Sequence, residues 1–320
     1  MFKLATAILL AAIFGFASAQ EFPSRPLRIL VPFPPGGGTD VAARALGEHL
    51  FRELGQPVVV DNRPGGNSVI ATEALARAEA DGHTLLLTTD FHSINAAFGA
   101  PLPYDSLKDF AFVARVSTSP LMLVTYPAAG MKTLGEVVAA ARANPGKLSF
   151  ASLGTSSPHY LGFEWFKRMA KLDIIDVPYK GGGPALAAVM GGQVTLSLVV
   201  ASNGIRQAKA GKLVALAVTG PGRASMAPEV PTFAESGYPE FVLLNWYGIL
   251  VRAGTPRAAV QRLNSSIVAG LGTAVVQGRL ESAGVDAAPS TPEELEAWVR
   301  KDIAHYRRMI ELTGAKPEGR

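Results

Sequence analysis

The segment Ile29-Leu-Val-Pro-Phe-Pro-Pro-Gly-Gly-Gly-Thr-Asp40, followed by Val41-Ala-Ala-Arg-Ala-Leu-Gly-Glu-His-Leu50, leaves this chain few ways to fold. A β-prone run leads into a turn of prolines and glycines. A helix follows, with Ala42, Leu46, Leu50 and Leu54 at steps of four and Gly55 as its stop. Strand, glycine turn and helix in that order predict a parallel α/β unit. Three glycines ahead of a helix N-terminus also let an anion reach the backbone N–H groups without meeting a Cβ. Phe33, among residues that form no regular structure, would be a lid over that place. The stretch reads either as an anion cradle or as a plain strand-to-helix connection.

The same alternation continues downstream. Strands are expected at Leu27–Val31, Pro57–Asp61 and Thr84–Thr88, with helices at Gly38–Leu54 and Val69–Arg77. Residues 90–109 read as surface loop and short helix, and Phe112–Val116 and Leu121–Tyr126 as two strands. A helix over Leu134–Ala143, a strand at Leu148–Ala151, a helix near His159–Ala170 and a strand at Ile174–Val177 come next. Val177-Pro-Tyr-Lys-Gly-Gly-Gly183 then repeats the opening device: strand end, proline, aromatic, glycines, helix. Such a repeat predicts two α/β halves facing one cleft, with ligands beyond the carboxyl ends of the strands. Further on, a strand at Val194–Val200, a helix at Ile205–Ala210 and a strand at Val214–Thr219 are expected. Phe241–Val251 suits a strand crossing between the halves, and helices are expected at Pro256–Leu271, Ala274–Ala283 and Pro292–Thr313.

The N-terminus reads differently. Lys3, the apolar run Leu4 to Phe16 and Ala17-Ser18-Ala19 have the form of a secretory signal peptide over residues 1–19. Thirteen apolar residues fall short of the roughly 20 that cross a bilayer. The net charge of +4, or +3 once Lys3 is removed, is too small and too scattered to suggest nucleic acid. There is no cysteine, which excludes disulfides, thiolate metal sites and a lipid-modified cysteine after the signal. An exported chain of this kind is stabilised by core burial, for which about 300 residues suffice.

Catalytic and nucleotide motifs are missing. Gly36-x-Gly38 lacks the third small residue of a dinucleotide fingerprint, and Gly146-Lys and Gly211-Lys are each followed by leucine, so there is no P-loop. No Gly-x-Ser-x-Gly elbow occurs, and His49, His83, His92, His159 and His305 show no metal-ligand spacing. Asp40 reads as a general base or as a helix-start acid favoured by the macrodipole. His159 reads as a ligand contact or a helix-start residue, Lys180 as a carboxylate partner or a solvated turn residue, and Trp246 as core.

Taken together, Val31-Pro-Phe-Pro-Pro-Gly-Gly-Gly-Thr-Asp40 with Ala43-Arg44, Asp61-Asn-Arg-Pro-Gly65, Asp81-Gly-His-Thr-Leu85, Val177 to Gly183, Gly191-Gly-Gln-Val194, Lys209 to Leu213, Pro228-Glu-Val-Pro-Thr232, Ala253-Gly-Thr-Pro256 and Thr291-Pro-Glu-Glu294 form one co-linear pattern. The chain resembles the tripartite tricarboxylate transporter substrate-binding proteins, the Bug family, from about Phe22 to Gly314. The resemblance implies an α/β fold of the periplasmic binding protein type II, or Venus-flytrap, kind. Lobe 1 would comprise 20–125 and 243–320, and lobe 2 would comprise 126–242. It further implies a soluble periplasmic monomer without cofactor or metal, which is not an enzyme. Such a protein would hold a di- or tricarboxylate, or an acidic or aromatic acid, and deliver it to membrane transporter subunits or a sensor. By position, the contacts implied on lobe 1 are Phe33, Gly36, Gly37, Thr39, Asp40, Thr88 and Thr89. Those on lobe 2 are Ser152, Gly154, Thr155, Ser156, His159, Tyr179 and Ser202.

The chain departs from the family pattern at three places. Asn62-Arg-Pro-Gly-Gly-Asn-Ser-Val69 is poorer in glycine than usual, Tyr160 aligns with the usual histidine, and Thr195 replaces an aspartate. The last suggests a far wall suited to a simple or aromatic carboxylate. A rival reading is a hydrolase or lyase on the same architecture, with Ser156 or Ser157 and His159.

Overall fold

A computed structural model describes residues 22–224 and 226–317. The expected signal peptide lies outside them. In the first half, β1 (Leu27–Val31) pairs in parallel with β2 (Val58–Asn62) and β3 (Thr84–Thr89). Helix α1 (Gly38–Leu54) returns the chain between β1 and β2, and α2 (Val69–Ala76) between β2 and β3. In the second half, β5 (Ser149–Ser152) pairs in parallel with β6 (Ile175–Pro178) and β7 (Leu196–Val200). The connecting helices there are α5 (Pro158–Ala170) and α6 (Gly182–Met190). The helix α4 (Leu134–Ala143) leads into β5.

Two long strands join the halves. β4 (Phe110–Thr125) and β9 (Leu244–Arg252) run antiparallel, and β9 also pairs with β3. Beyond Pro120, β4 exchanges β9 for β7 and β8 (Val214–Val218). The strand order is β2-β1-β3-β9-β4-β7-β5-β6. The two strands expected at 112–116 and 121–126 are therefore one. Ser117-Thr-Ser-Pro120 reads as a break because proline has no N–H to give. Here Pro120 stands opposite Leu244, the neighbouring Leu121 N–H finds Thr219 Oγ1 at 2.8 Å, and two register shifts between Phe112 and Ser117 bend the strand.

Two further differences concern helices, and one a turn. The 90–109 segment is not wholly surface: α3 (Phe91–Phe98) buries His92, Ser93, Ile94 and Ala97. The helix expected from Ile205 is α7 (Ala201–Lys209), which begins directly after β7 because Ala-Ser-Asn-Gly, turn-like in sequence, continues into the helix. The glycine-poor turn after Asn62 keeps left-handed backbone at Asn67 (φ 50°) and Ser68 (φ 77°) without glycine.

The last three helices, α8 (Arg257–Leu271), α9 (Ala274–Ser282) and α10 (Pro292–Thr313), follow β9, with the short β10 (Asp286–Ala287) between α9 and α10. α10 starts with a capping box between Thr291 and Glu294 and buries Leu295, Val299, Ile303, Tyr306 and Met309 along one stripe. Each such side chain is worth about 1.5–3 kcal/mol of burial. That stripe belongs to a core running through both halves, from Leu30, Leu86 and Ile94 to Phe150, Phe163 and Phe166. α10 touches both α3 and α5. Separate clusters fill the opposite face of each half.

Candidate functional site

Residues from both halves enclose a cleft of about 680 Å³, within the range of small-ligand sites. One wall is the turn 33–39 with Thr89, Asp90 and Phe91. The other is Pro158, His159 and the turn Lys180–Pro184, and Asn245 and Tyr247 of β9 complete it.

The first turn is held in place by side chains. Gly36, at φ +87°, adopts a backbone that side-chain-bearing residues avoid, and its N–H donates to Asp40 Oδ2 at 3.0 Å. Arg44 Nε donates to the same oxygen at 3.0 Å, while Asn62 Nδ2 donates to Asp40 Oδ1 and to the Phe33 carbonyl, each at 3.0 Å. Asp40 is 4 % exposed, and these bonds, that of Arg44 foremost, hold its carboxyl below the ordinary value of 3.8. This carboxylate therefore fastens the turn from behind, and the Gly36 N–H is engaged by it. No side chain caps α1 at Gly37, so the first turn of this 17-residue helix, with Gly38 and Thr39 on the cleft, keeps unsatisfied N–H groups there. Phe33 lines the cleft edge-on to Phe91, with ring centroids 5.8 Å apart. Phe91 carries no glycine signature and escaped the sequence reading.

Of the residues anticipated from sequence, Phe33, Gly36, Gly37, Thr39, Thr89 and His159 line the cleft. Thr88 is fully buried behind Thr89 in β3. Ser152, also fully buried, ends β5 and accepts the Tyr179 N–H on its carbonyl at 2.9 Å. Gly154 (φ +91°), Thr155 and the buried Ser156 form the turn into α5. Tyr179 packs against the core of the second half, unlike its counterpart Phe33. Ser202 donates to the Gly284 carbonyl at 2.9 Å, a bond from one half of the molecule to the other. Thr195 knits β4, β5 and β7 through Thr125 and Ser149 and is not among the cleft-lining residues, so the inference drawn from its replacement of aspartate does not concern this wall.

Ser157 caps α5: its Oγ donates to Gly154 O at 2.7 Å and accepts the Tyr160 N–H at 3.1 Å. His159 is 8 % exposed, and burial pushes its imidazole down to about 4. For Ser157, a capping hydroxyl beside a histidine whose Nδ1 has no partner among the described residues is not a hydrolytic constellation. Trp246 is fully buried, its Nε1–H donating to Asp302 at 2.8 Å. Lys180 is exposed but does line the cleft.

Sequence reasoning missed Asp90. It lines the cleft, is 3 % exposed, and its Oδ2 has no hydrogen-bond partner. Burial first, and the neighbouring Asp302 carboxyl second, raise its pKa well above the ordinary carboxylate range. A lone aspartate after Thr-Thr gives no sequence signal of this.

Comparison with known proteins agrees with this arrangement. Residues 42–315 match the family described as tripartite tricarboxylate transporter family receptor. Protein BugT of Bordetella pertussis is 36 % identical over 308 residues, covering 96 % of this chain and 94 % of its own. The structure of R. palustris Rpa4515 with adipate is 30 % identical and covers 93 % of this chain and all of that one, with a TM-score of 0.83. That of the periplasmic binding protein BugD, also 30 % identical, covers 92 % of this chain and 99 % of its own, with a TM-score of 0.80. The matched family consists of solute-binding receptors rather than enzymes. The α/β halves described above thus form the two-lobe fold of periplasmic binding proteins, and the chain belongs to the tripartite tricarboxylate transporter receptor family.

Proposed function

We propose that the protein captures a small organic carboxylate, a di- or tricarboxylate or an acidic or aromatic acid, between its lobes and delivers it to a tripartite tricarboxylate-type transporter. The observation that carries this reading is the uncapped N-terminus of α1, opened by glycines towards an interlobe cleft. Its N–H groups and dipole favour an anion, and Lys180 adds positive charge from the other lobe. Gly37, Gly38 and Thr39 would give backbone contacts, with Phe33 and Phe91 as an apolar wall. The adipate held by Rpa4515 has the size and charge such a site accommodates. Residues 1–19 would direct export to the periplasm, where the chain acts as a monomer. Closure would pivot on β4 and β9, limited by the core the lobes share.

A thermal-shift and calorimetry panel of succinate, adipate, malate, citrate, glutamate and benzoate tests the reading. An acid present at about a hundred times its dissociation constant stabilises the folded state by about 2.7 kcal/mol, a shift of several degrees. If no acid raises the melting temperature, carboxylate capture is wrong for this protein.

A further inference from the structure

We propose that Asp90 determines which acids the cleft accepts, by donating a hydrogen bond from its carboxyl group to a ligand oxygen. The inference rests on the carboxylate-binding reading and deepens it: the preferred ligand is an acid without an ammonium group, rather than an amino acid.

Asp90 is buried at the edge of the cleft with one of its two carboxyl oxygens unpartnered. It stands at the start of α3, 3 % exposed, and the unpartnered oxygen is Oδ2. Buried polar atoms without partners are rare, and each calls for an explanation, such as a bound ion or ligand that supplies the missing bond. The groups around Asp90 come from four elements. The Thr89 hydroxyl of β3 and the Phe91 N–H of α3 favour the ionised carboxyl, Tyr247 of β9 brings a phenol, and α10 contributes Asp302 and Tyr306. None of these is a cation. Across the cleft stand His159, uncharged because it is buried, and the solvated Lys180.

An ionised Asp90 would be a buried charge with a second carboxyl behind it and an anion arriving in front. The start of α3 offsets part of that through its dipole, an effect smaller than the desolvation of a carboxylate. Uncharged, the same group is a donor that an anion needs. An amino acid would instead use its ammonium to draw Asp90 into the ionised form. That form is opposed by Asp302 and by burial.

Asp90→Asn separates the two, because the amide keeps a donor and cannot ionise. Calorimetry would use whichever of succinate or adipate binds the wild type, together with aspartate or glutamate as the amino-substituted counterpart. Asp90→Asn is expected to bind the plain acid within about threefold of wild type, and the amino acid is expected to bind at least tenfold more weakly to both. Asp90→Ala, lacking the donor, is expected to lose about 10- to 100-fold for the plain acid. A second readout needs no variant. From roughly pH 6 to 9, above the ligand's carboxyls and below the amines, wild-type affinity for the plain acid stays level or falls as pH rises. Affinity that rises over that range overturns the proposal, as does tenfold or greater loss of the plain acid in a folded Asp90→Asn, or a preference for the amino acid. If the wild type binds no acid of either kind, the carboxylate reading falls as well; loss confined to the variant removes only the role of Asp90.

Discussion

In lobe 1, the turn between β1 and α1 is fastened by Asp40, Arg44 and Asn62, and its last glycine is crowded by the rest of the fold. A Cβ on Gly38 would sit 3.0 Å from Tyr247 Oη and 3.2 Å from the Ala283 carbonyl. In lobe 2, the turn between β6 and α6 has the same residue types and none of that support. Gly181 caps α6 at φ +106° without a side-chain bond, and a Cβ on Gly181, Gly182 or Gly183 would meet nothing within 4 Å among the described residues. The aromatics diverge as well, Phe33 facing the cleft and Tyr179 joining the lobe 2 core. One local device is thus fastened by side chains in one lobe and open around its glycines in the other. If the α1 N-terminus holds the acid proposed above, fastening that turn in advance would spare its lobe the ordering cost on binding.

The contrast is broken most directly by Asp40→Ala. It strands the Gly36 N–H and the Asn62 amide and is expected to cost about 2–4 kcal/mol in denaturant unfolding. Its pH dependence has a definite sign. The folded carboxyl titrates below its ordinary 3.8, so the stability it contributes is fully present above that value and is lost as pH falls through the lower folded one. Asp40→Asn should flatten this acid limb of the stability curve. If the acid limbs of wild type and Asp40→Asn coincide, the fastening of the first turn does not depend on the ionised carboxylate.

A smaller effect comes from adding the same methyl group to each turn. Gly38→Ala forces Tyr247 or the Ala283 carbonyl to shift and is expected to cost about 1–3 kcal/mol, by overpacking. Gly182→Ala should stay within about 0.5 kcal/mol of wild type. Equal melting temperatures for the two variants would mean the turns are supported alike. Smallest is Lys180→Gln, with an expected three- to tenfold loss of affinity for a bound acid, roughly, that shrinks as salt is raised. A salt-independent loss would show that Lys180 acts by shape rather than charge.

How much of this could be read from residues depends on the range of the interaction. α1 and α10 carry their own start and stop signals, Gly55 for the one and the Thr291–Glu294 box for the other, and both lie where the sequence places them. The joining of two expected strands into β4 was not legible. Whether Pro120 interrupts a strand depends on what lies opposite it, and that is Leu244, far along the chain. Asp40 was legible as a helix-start acid, yet its bonds to Asn62 exist only once β2 lies beside β1. The family pattern puts Ser202 among the cleft contacts by its position just after the strand ending at Val200. The approach of Gly284 engages it elsewhere.

The sequence alone determined the alternation of strands and helices, the two glycine turns and the family, since propensity, capping and motif spacing act over a few residues. Tertiary structure decided which turn is fastened by side chains, which aromatic lines the cleft, and that Asp90 is buried on the cleft beside Asp302. Those properties belong to groups brought together from β3, β9 and α10. Burial and charge proximity arise only when such distant segments pack.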